Sequence, residues 1–270
     1  MNSMELSLVL FTVLGQMAVG MTVMMVLREW KMSEVPGISS SLSGQWVLAG
    51  LVVLAALVAS IFHLGHPEHS YRALVHLSTS WLSREILFYL LFGCLIVIGF
   101  FAIQKRSPSR GILIKVTGVV GLIAVVSSGM VYSPPSFPAL NNGIPIFFFM
   151  LTAFILGSAF ASYFVEEEKQ SLLVYILISS LVVGLIVNLL IPSIWLSGGK
   201  VMQMTGKAYY GSVLYWLRLA GEFGLGLAVL GMMKKIPAWL PIILLAGELL
   251  GRIMVFSHVV NTSVNMGILY

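Results

Sequence analysis

Apolar runs of membrane-spanning length recur along the whole chain, and they constrain its fold more than any other feature. A transmembrane helix needs roughly 20 consecutive apolar residues, and runs of this length end repeatedly at charged residues, prolines or polar glycine-rich clusters. Only 9% of the 270 residues are charged, whereas a soluble domain carries about 25%. The chain is therefore predicted to be an all-α integral membrane protein.

Eight transmembrane helices are predicted from these runs. Their approximate bounds are 6–27, 45–64, 85–103, 112–132, 144–164, 172–196, 212–233 and 239–260. The first run has no basic region before it and no small-residue cleavage site after it, so we expect a retained span and not a signal peptide. We treat residues 1–270 as a single membrane domain. The residues do not decide whether that domain consists of two four-helix halves.

The distribution of lysine and arginine predicts how these spans are oriented, because cytoplasmic loops carry an excess of basic residues. The loops after the odd-numbered spans hold Arg28, Lys31, Lys105, Arg106, Arg110, Lys115, Lys169, Lys234 and Lys235. The loops after the even-numbered spans hold only Arg72, Arg84, Lys200 and Lys207. Both termini are therefore expected on the outer, periplasmic side.

Composition also argues against several other functions. The net charge of +5 comes from basic residues scattered singly between the spans, which is not the continuous stripe that binds nucleic acid. The single cysteine, Cys94, can form neither a disulfide nor a cysteine-ligated cluster within this chain. No helix carries the repeated inward histidines of a two-haem cytochrome. We expect no haem and no metal, although His63 and His258 leave a single haem conceivable.

Four charged residues fall inside the last two predicted spans, where a charge costs at least about 2.5 kcal/mol. Arg218 and Glu222 are four residues apart, as are Glu248 and Arg252, so each pair lies on one helix face. In antiparallel helices, Glu222 and Arg252 would also lie at similar depths and could bond. Two interpretations stay open: a charge network that fixes helix packing, and the lining of a path in a transporter or ion-translocating subunit.

A second polar cluster lies where the second span ends and the third begins. His63 and Glu85 are on the same side of the membrane there, because one loop joins the two spans. Imidazole accepts a proton near neutral pH, and a carboxylate can relay that proton to water. This arrangement suits the oxidation of a quinol, which releases two protons. Equally open is a purely structural role, with Glu85 favouring the positive N-terminus of its helix.

Four sequence segments resemble one known family. They are 10–16 (LFTVLGQ), 59–67 (ASIFHLGHP), 82–86 (LSREI) and 244–252 (LLAGELLGR). In this order and over nearly the whole chain, they resemble the membrane anchor subunit of the dimethyl sulfoxide reductase type. Little of the stretch between residues 104 and 210 follows the family pattern, which leaves the terminal electron acceptor open.

The resemblance implies a function in anaerobic respiration at the bacterial inner membrane. Anchors of this family oxidise menaquinol without a haem of their own, and they pass electrons to a ferredoxin-like iron–sulfur subunit. The metal cofactors belong to that subunit and to a molybdopterin catalytic subunit, so the anchor alone is not a terminal reductase. The resemblance assigns the quinol chemistry to His63 and Glu85. To the predicted quinol site we add the nearby polar residues Ser60, Arg72, Arg84 and His258.

Overall fold

The computed structural model describes residues 3–31, 38–62 and 74–265 as a bundle of helices, with no strand in these ranges. The helices are, in chain order, α1 (Ser3–Lys31), α2 (Ile38–Ile61), α3 (Trp81–Gln104), α4 (Arg110–Val131), α5 (Ile144–Ala161), α6 (Ser171–Leu196), α7 (Lys200–Gly211), α8 (Val213–Arg218), α9 (Gly226–Met233) and α10 (Leu240–His258). A π-helical segment, Leu219–Leu225, joins α8 to α9.

Eight of the described helical segments are long and apolar enough to cross a membrane, as predicted. They are Leu6–Trp30, Leu42–Ile61, Trp81–Gln104, Arg110–Val131, Ile144–Phe164, Ser171–Leu196, Val213–Met233 and Leu240–His258. Helices form here because a lipid environment offers backbone N–H and C=O groups no partner outside the segment. The confirmed fold is thus an eight-span, all-α membrane protein. The periplasmic placement of its termini, and a division into two halves, stay predictions.

Helix α1 lies at the centre of the bundle and packs against α2, α4, α5 and α10. It approaches α5 most closely where Gly20 crosses Gly157. A Cβ atom on Gly20 would lie 1.8 Å from the carbonyl oxygen of Ala153, and one on Gly157 would lie 2.4 Å from the Gly20 backbone. Small residues allow such backbone contact between membrane helices, which associate chiefly through close packing.

A buried tryptophan joins α2 to α3. The indole nitrogen of Trp46 donates to the carbonyl oxygen of Ile96 at 2.7 Å, and its ring lies against Gly99, where an added Cβ would approach to 2.3 Å. The hydrogen bond satisfies the polar atom of a side chain that is otherwise wholly buried. This contact fixes α3, which carries Glu85, relative to the centre of the bundle.

Helix α7 was not predicted, because its 12 residues include two lysines and are too short and polar for a span. Its buried face consists of Val201, Thr205, Gly206 and Tyr209. The Tyr209 ring packs edge-on against Trp195 of α6, with centroids 5.0 Å apart. The segment therefore lies against the bundle and is not an extended loop.

The seventh span is a single predicted helix, but the structure interrupts it with the π-helical segment. The π-helical turn begins directly after Arg218 and contains Glu222. A π-helical turn holds an extra residue, so it rotates the residues that follow relative to an α-helix, and such turns are frequent at functional sites. Two of the four intramembrane charges therefore lie directly before and within this turn.

Candidate functional site

Glu85 is buried near the start of α3, with only 2% of its surface exposed. The helix begins after Ser80, whose side chain accepts a hydrogen bond from the backbone N–H of Ser83 and so caps it. One turn further on, the carboxylate of Glu85 turns inward and accepts a hydrogen bond from Ser128 of α4, with 2.5 Å between Ser128 Oγ and Glu85 Oε1. The sequence therefore holds a carboxyl group at a defined place inside the bundle.

A large cavity of about 690 Å³ lies beside this carboxyl group. It is enclosed by the start of α1, the end of α2, the start of α3, the ends of α4 and α10, and the loop before α5. The lining residues are Leu8, Phe11, Leu57, Ser60, Ile61, Leu74, Leu82, Glu85, Ile86, Tyr89, Leu90, Val131, Tyr132, Pro134, Phe137, Leu140, Val255, Phe256 and Val259. Its size and mainly apolar wall, with a few polar groups, are typical of small-molecule sites.

The large cavity reaches the lipid-facing surface of the bundle. Three of its lining residues are about half exposed, namely Ile61 at 49%, Leu82 at 50% and Leu90 at 41%. All three belong to the wall formed by α2 and α3. A hydrophobic molecule dissolved in the bilayer could therefore contact this wall without passing through water.

The predicted quinol-site residues differ in where the structure places them. Glu85 and Ser60 both line the large cavity, although the Ser60 hydroxyl donates to the Leu57 carbonyl oxygen of its own helix at 2.7 Å. His63 and Arg72 lie outside the described residues.

Arg84 and His258 are not among the residues that line the large cavity. The Arg84 guanidinium turns back to the Leu77 and Ser78 carbonyl oxygens, at 2.9 and 2.6 Å. The His258 ring lies 6.3 Å from the Tyr209 ring. Each of these two side chains turns to a different neighbour, and their part in a quinol site stays a prediction.

The contacts of the four intramembrane charges agree with the spacing in one span and differ from it in the other. Arg218 binds Glu222 on its own span at 2.7 Å and reaches across to Glu248 of α10 at 3.2 Å. The expected Glu222–Arg252 bond across the helices is not the contact that forms. Arg218, at the edge of the π-helical segment, occupies the position between the two carboxylates, and both are almost fully buried.

Arg252 is held by uncharged partners. Its guanidinium donates to Gln16 of α1 at 2.7 Å and to the Thr152 hydroxyl of α5 at 3.3 Å, and it lies 4.0 Å above the centre of the Phe149 ring. Thr152 also donates to Glu248 at 2.9 Å. Thr152 therefore connects Glu248 and Arg252, which the sequence placed on one helix face.

A small cavity of about 20 Å³ lies among these charges, lined by Asn188, Arg218, Glu248, Arg252 and other residues of α5 to α10. This is enough space for about one water molecule. Four buried polar atoms of the network make no hydrogen bond within the described part of the chain: Gln16 Nε2, Glu222 Oε1, Glu248 Oε1 and Arg252 Nε. Val255 lines both this cavity and the large one.

Sequence reasoning missed Tyr89 and Tyr132, which line the large cavity, and Ser128, which donates a hydrogen bond to Glu85. Tyr89 could have been found, because it lies four residues after Glu85 and hence on the same face of α3. Ser128 and Tyr132 are on another helix, and nothing in their spacing relates them to Glu85. Within the described residues, no group of three or more histidine, cysteine or acidic side chains could hold a metal ion.

Comparisons with known proteins agree on one family. The family model described as DMSO reductase anchor subunit (DmsC) matches residues 1–208. A relative in Haemophilus influenzae, one of the chains of its anaerobic dimethyl sulfoxide reductase, is 32% identical over 171 residues, which are 59% of this chain and 57% of that protein. The match therefore spans little more than half the length of this relative. No solved structure matches the sequence.

Two further relatives match over very different lengths. Anaerobic dimethyl sulfoxide reductase chain YnfH of Escherichia coli is 24% identical over 275 aligned positions, which are 94% of each protein. A subunit of the sulfite dehydrogenase of Allochromatium vinosum is 51% identical over 41 residues, which are 15% of this chain and 13% of that protein. The long match supports likeness along the whole sequence, whereas the short match concerns one segment.

Proposed function

Since this chain belongs to the family of DMSO reductase anchor subunits, we propose that it binds and oxidises menaquinol in the large cavity beside Glu85. The observation that carries this proposal is a buried carboxyl group in the wall of an otherwise mainly apolar cavity of about 690 Å³. A quinol has an apolar ring with two hydroxyl groups, and it matches this combination of surface and polar contact.

The lipid-facing wall supports a substrate that arrives from the bilayer. Ile61, Leu82 and Leu90 are each about half exposed and also line the cavity. A quinol is dissolved in the membrane through its long hydrocarbon tail. The ring would enter between the end of α2 and the start of α3, while the tail remains among lipids beside these three residues.

The proposed reaction removes two electrons and two protons from menaquinol and leaves menaquinone. Ser128 occupies Oε1 of Glu85, so Oε2 is the oxygen that would accept a hydrogen bond, and then a proton, from a quinol hydroxyl. His63 would take the second proton. The electrons would pass one at a time to an iron–sulfur cluster of a partner subunit, since this chain has a single cysteine and cannot hold such a cluster alone.

The partners proposed are a ferredoxin-like iron–sulfur subunit and a molybdopterin catalytic subunit, in a complex at the bacterial inner membrane. Family membership supports this assembly, and two relatives are named as chains of anaerobic dimethyl sulfoxide reductases. Co-purification of both partners with the tagged full-length protein tests it. Isolation of the tagged protein without either partner would contradict it.

The proposed function is tested by comparing two electron donors in the assembled complex. Glu85→Gln keeps the shape of the side chain but removes its ability to take a proton. We expect quinol-dependent activity to fall by a factor of about 100 or more, as for loss of a general base, while activity with an artificial donor stays unchanged. The matched control is Glu168→Gln, in an exposed 3-10 helical turn. His63→Ala should resemble Glu85→Gln, and full quinol turnover in both variants would overturn the proposal.

Ion translocation is a second candidate function, and one observation favours it. The seventh span is interrupted by a π-helical segment beside Arg218, Glu222 and Glu248, and interrupted helices with intramembrane charges are typical of transporters. The test is proton uptake after a pH jump in proteoliposomes containing this protein. Uptake that Glu248→Gln abolishes would favour translocation, and no uptake would exclude it.

A further inference from the structure

The polar side chains that line the large cavity differ in whether they can donate a hydrogen bond into it. Within the described part of the chain they are Ser60, Glu85, Tyr89 and Tyr132. The Ser60 hydroxyl donates its proton to the Leu57 carbonyl oxygen of its own helix. The ionised carboxylate of Glu85 can only accept. A donor for a ligand in the cavity therefore has to come from one of the two tyrosines.

Tyr89 borders the large cavity, but its hydroxyl is directed away from it. The side chain has no exposed surface. Its hydroxyl oxygen lies against α1, where a Cβ on Gly15 would approach it to 2.9 Å, and Gly15 does not line the cavity. A ligand in the cavity therefore contacts no more than the ring of Tyr89.

The Tyr132 hydroxyl, in contrast, is accessible. The side chain is only partly buried, and its oxygen is not one of the fully enclosed polar atoms that lack a partner. It makes no hydrogen bond with any residue that the structure describes. A phenol titrates near pH 10, so the group keeps its proton at neutral pH, at about three units below that value. Tyr132 is thus the tyrosine that can donate into the cavity.

Two aromatic rings hold the Tyr132 ring at the end of α4. Its centroid lies 5.4 Å from that of Phe149 of α5 and 5.6 Å from that of Phe256 of α10, and the Phe256 ring meets it edge-on. The backbone N–H of Tyr132 donates to the Ser128 carbonyl oxygen at 3.1 Å, so the residue belongs to the last turn of the helix. The ring is therefore held in place by protein contacts alone.

Ser128 relates Tyr132 to Glu85. It lies four residues before Tyr132, and hence on the same face of α4. Its hydroxyl donates to Oε1 of Glu85 at 2.5 Å, and both Glu85 and Tyr132 line the cavity. A ring oxygen that bonds to Oε2 of Glu85 would therefore lie on the side of the cavity where α4 presents Tyr132.

We propose that the Tyr132 hydroxyl donates a hydrogen bond to the quinol oxygen whose proton goes to Glu85, and keeps this bond in the quinone product. This inference rests on the proposed function. A quinone has two carbonyl oxygens that accept hydrogen bonds and no group that donates them, so it needs such a donor. Tyr132 transfers no proton. It orients the ring against Glu85 and stabilises the oxygen from which the proton has left.

The experiment uses the assembled complex with Tyr132→Phe, which removes only the hydroxyl and keeps a ring between Phe149 and Phe256. The matched control is Tyr163→Phe, because the Tyr163 hydroxyl donates to the Ala238 carbonyl oxygen, near the end of the bundle opposite the cavity. We expect the KM for a menaquinol analogue to rise about five- to tenfold in Tyr132→Phe, as for loss of one hydrogen bond. Activity with an artificial donor should remain unchanged, and the control should behave as wild type.

The infrared spectrum of the bound quinone gives a readout that a merely structural role would not move. A hydrogen bond lowers the stretching frequency of a carbonyl group, and Tyr132 bonds to one of the two. One carbonyl band should therefore shift to higher frequency in Tyr132→Phe, while the other stays in place. If Tyr132→Phe fails to assemble, 3-fluorotyrosine at position 132 keeps the hydroxyl and makes it a stronger donor, which should lower that band further. Two unmoved bands in the variant tested would overturn the role of Tyr132.

The outcomes separate this inference from the proposed function. If Glu85→Gln loses quinol-dependent activity while Tyr132→Phe keeps a wild-type KM and unmoved carbonyl bands, Tyr132 is structural and the quinol site stands. If both variants turn over quinol normally, the proposed site is wrong, and the role of Tyr132 with it. A raised KM together with one shifted band supports both.

Discussion

Ser128 Oγ lies 2.5 Å from Oε1 of Glu85, so a hydrogen bond between α4 and α3 fixes the carboxylate in the wall of the large cavity. Bonds to charged groups contribute about 1.5–3 kcal/mol. We predict that Ser128→Ala leaves Glu85 present but mobile and lowers quinol-dependent kcat/KM by a factor of about 10 or more. The measurement is steady-state oxidation of a menaquinol analogue by the assembled complex.

The control for this prediction is Ser158→Ala on α5. Ser158 is also buried, but its hydroxyl donates to the Phe154 carbonyl oxygen of its own helix at 2.6 Å. Ser158→Ala should therefore leave quinol oxidation unchanged. Equal losses in the two variants would show that the serine acts through general packing and not through Glu85.

Arg218 neutralises two buried carboxylates, and its loss should therefore be costly. In Arg218→Met, Glu222 and Glu248 would both lack their ion pair, and breaking a buried pair typically costs about 3–5 kcal/mol. We expect a clearly lower thermal unfolding temperature in detergent. Adding Glu222→Gln and Glu248→Gln should recover most of the loss, because no unpaired charge then remains.

The comparison for Arg218 is an exposed ion pair elsewhere in the protein. Lys235 binds Glu167 at 2.7 Å, and both side chains are exposed. Lys235→Met should change the unfolding temperature little, since surface pairs contribute about 0–1 kcal/mol. A larger effect for Lys235→Met than for Arg218→Met would contradict the view that burial determines the cost.

Gly20→Ala should separate α1 from α5. Its Cβ atom would lie 1.8 Å from the Ala153 carbonyl oxygen, and overpacking of this kind costs about 1–3 kcal/mol. Gly231→Ala provides the opposite case, because nothing lies within 4 Å of a Cβ at that position in α9. Gly231→Ala should stabilise the folded protein by up to about 1 kcal/mol, because alanine has a higher helix propensity than glycine. The measurement is the thermal unfolding temperature of both variants and of the wild type in the same detergent.

A photoreactive menaquinone analogue should label the wall formed by α2 and α3. We expect the labelled peptides to contain residues 57–61 and 82–90, the two segments that line the large cavity and reach its lipid-facing side. Unlabelled quinone should compete with the label. Labelling confined to α6 or α9 would place the site elsewhere and contradict entry between α2 and α3.

The spans could be predicted from sequence because the bilayer imposes both their length and their internal hydrogen bonding. The position of Glu85 near the end of the second span followed from the loop that joins the two spans, whereas its role in quinol chemistry came from the family resemblance and stays a prediction. Tyr89 could also have been identified from the sequence, because it lies four residues after Glu85 and hence on the same helix face. These features depend on one helix at a time, which is the information that a sequence carries most directly.

The contacts between helices could not be predicted in this way. An antiparallel arrangement of the last two spans suggested a bond between Glu222 and Arg252, but Arg218 meets Glu248 instead. Ser128 is one of two adjacent serines in α4, and only the packing of α4 on α3 selects it. Partner choice depends on helix rotation, which spacing within a single helix does not determine.

The shallow position of Glu85 has an electrical consequence. Its Cα lies four residues from Trp81, the first residue of α3, which at 1.5 Å per residue is about 6 Å along the helix. With Trp81 taken as the edge of the hydrocarbon layer, this depth is about one fifth of its thickness of roughly 30 Å. A proton leaving Glu85 by this end would cross about one fifth of the membrane voltage, which is worth about 0.5 kcal/mol per 100 mV. Quinol oxidation at this site should therefore respond only about twofold to a 100 mV change in membrane potential.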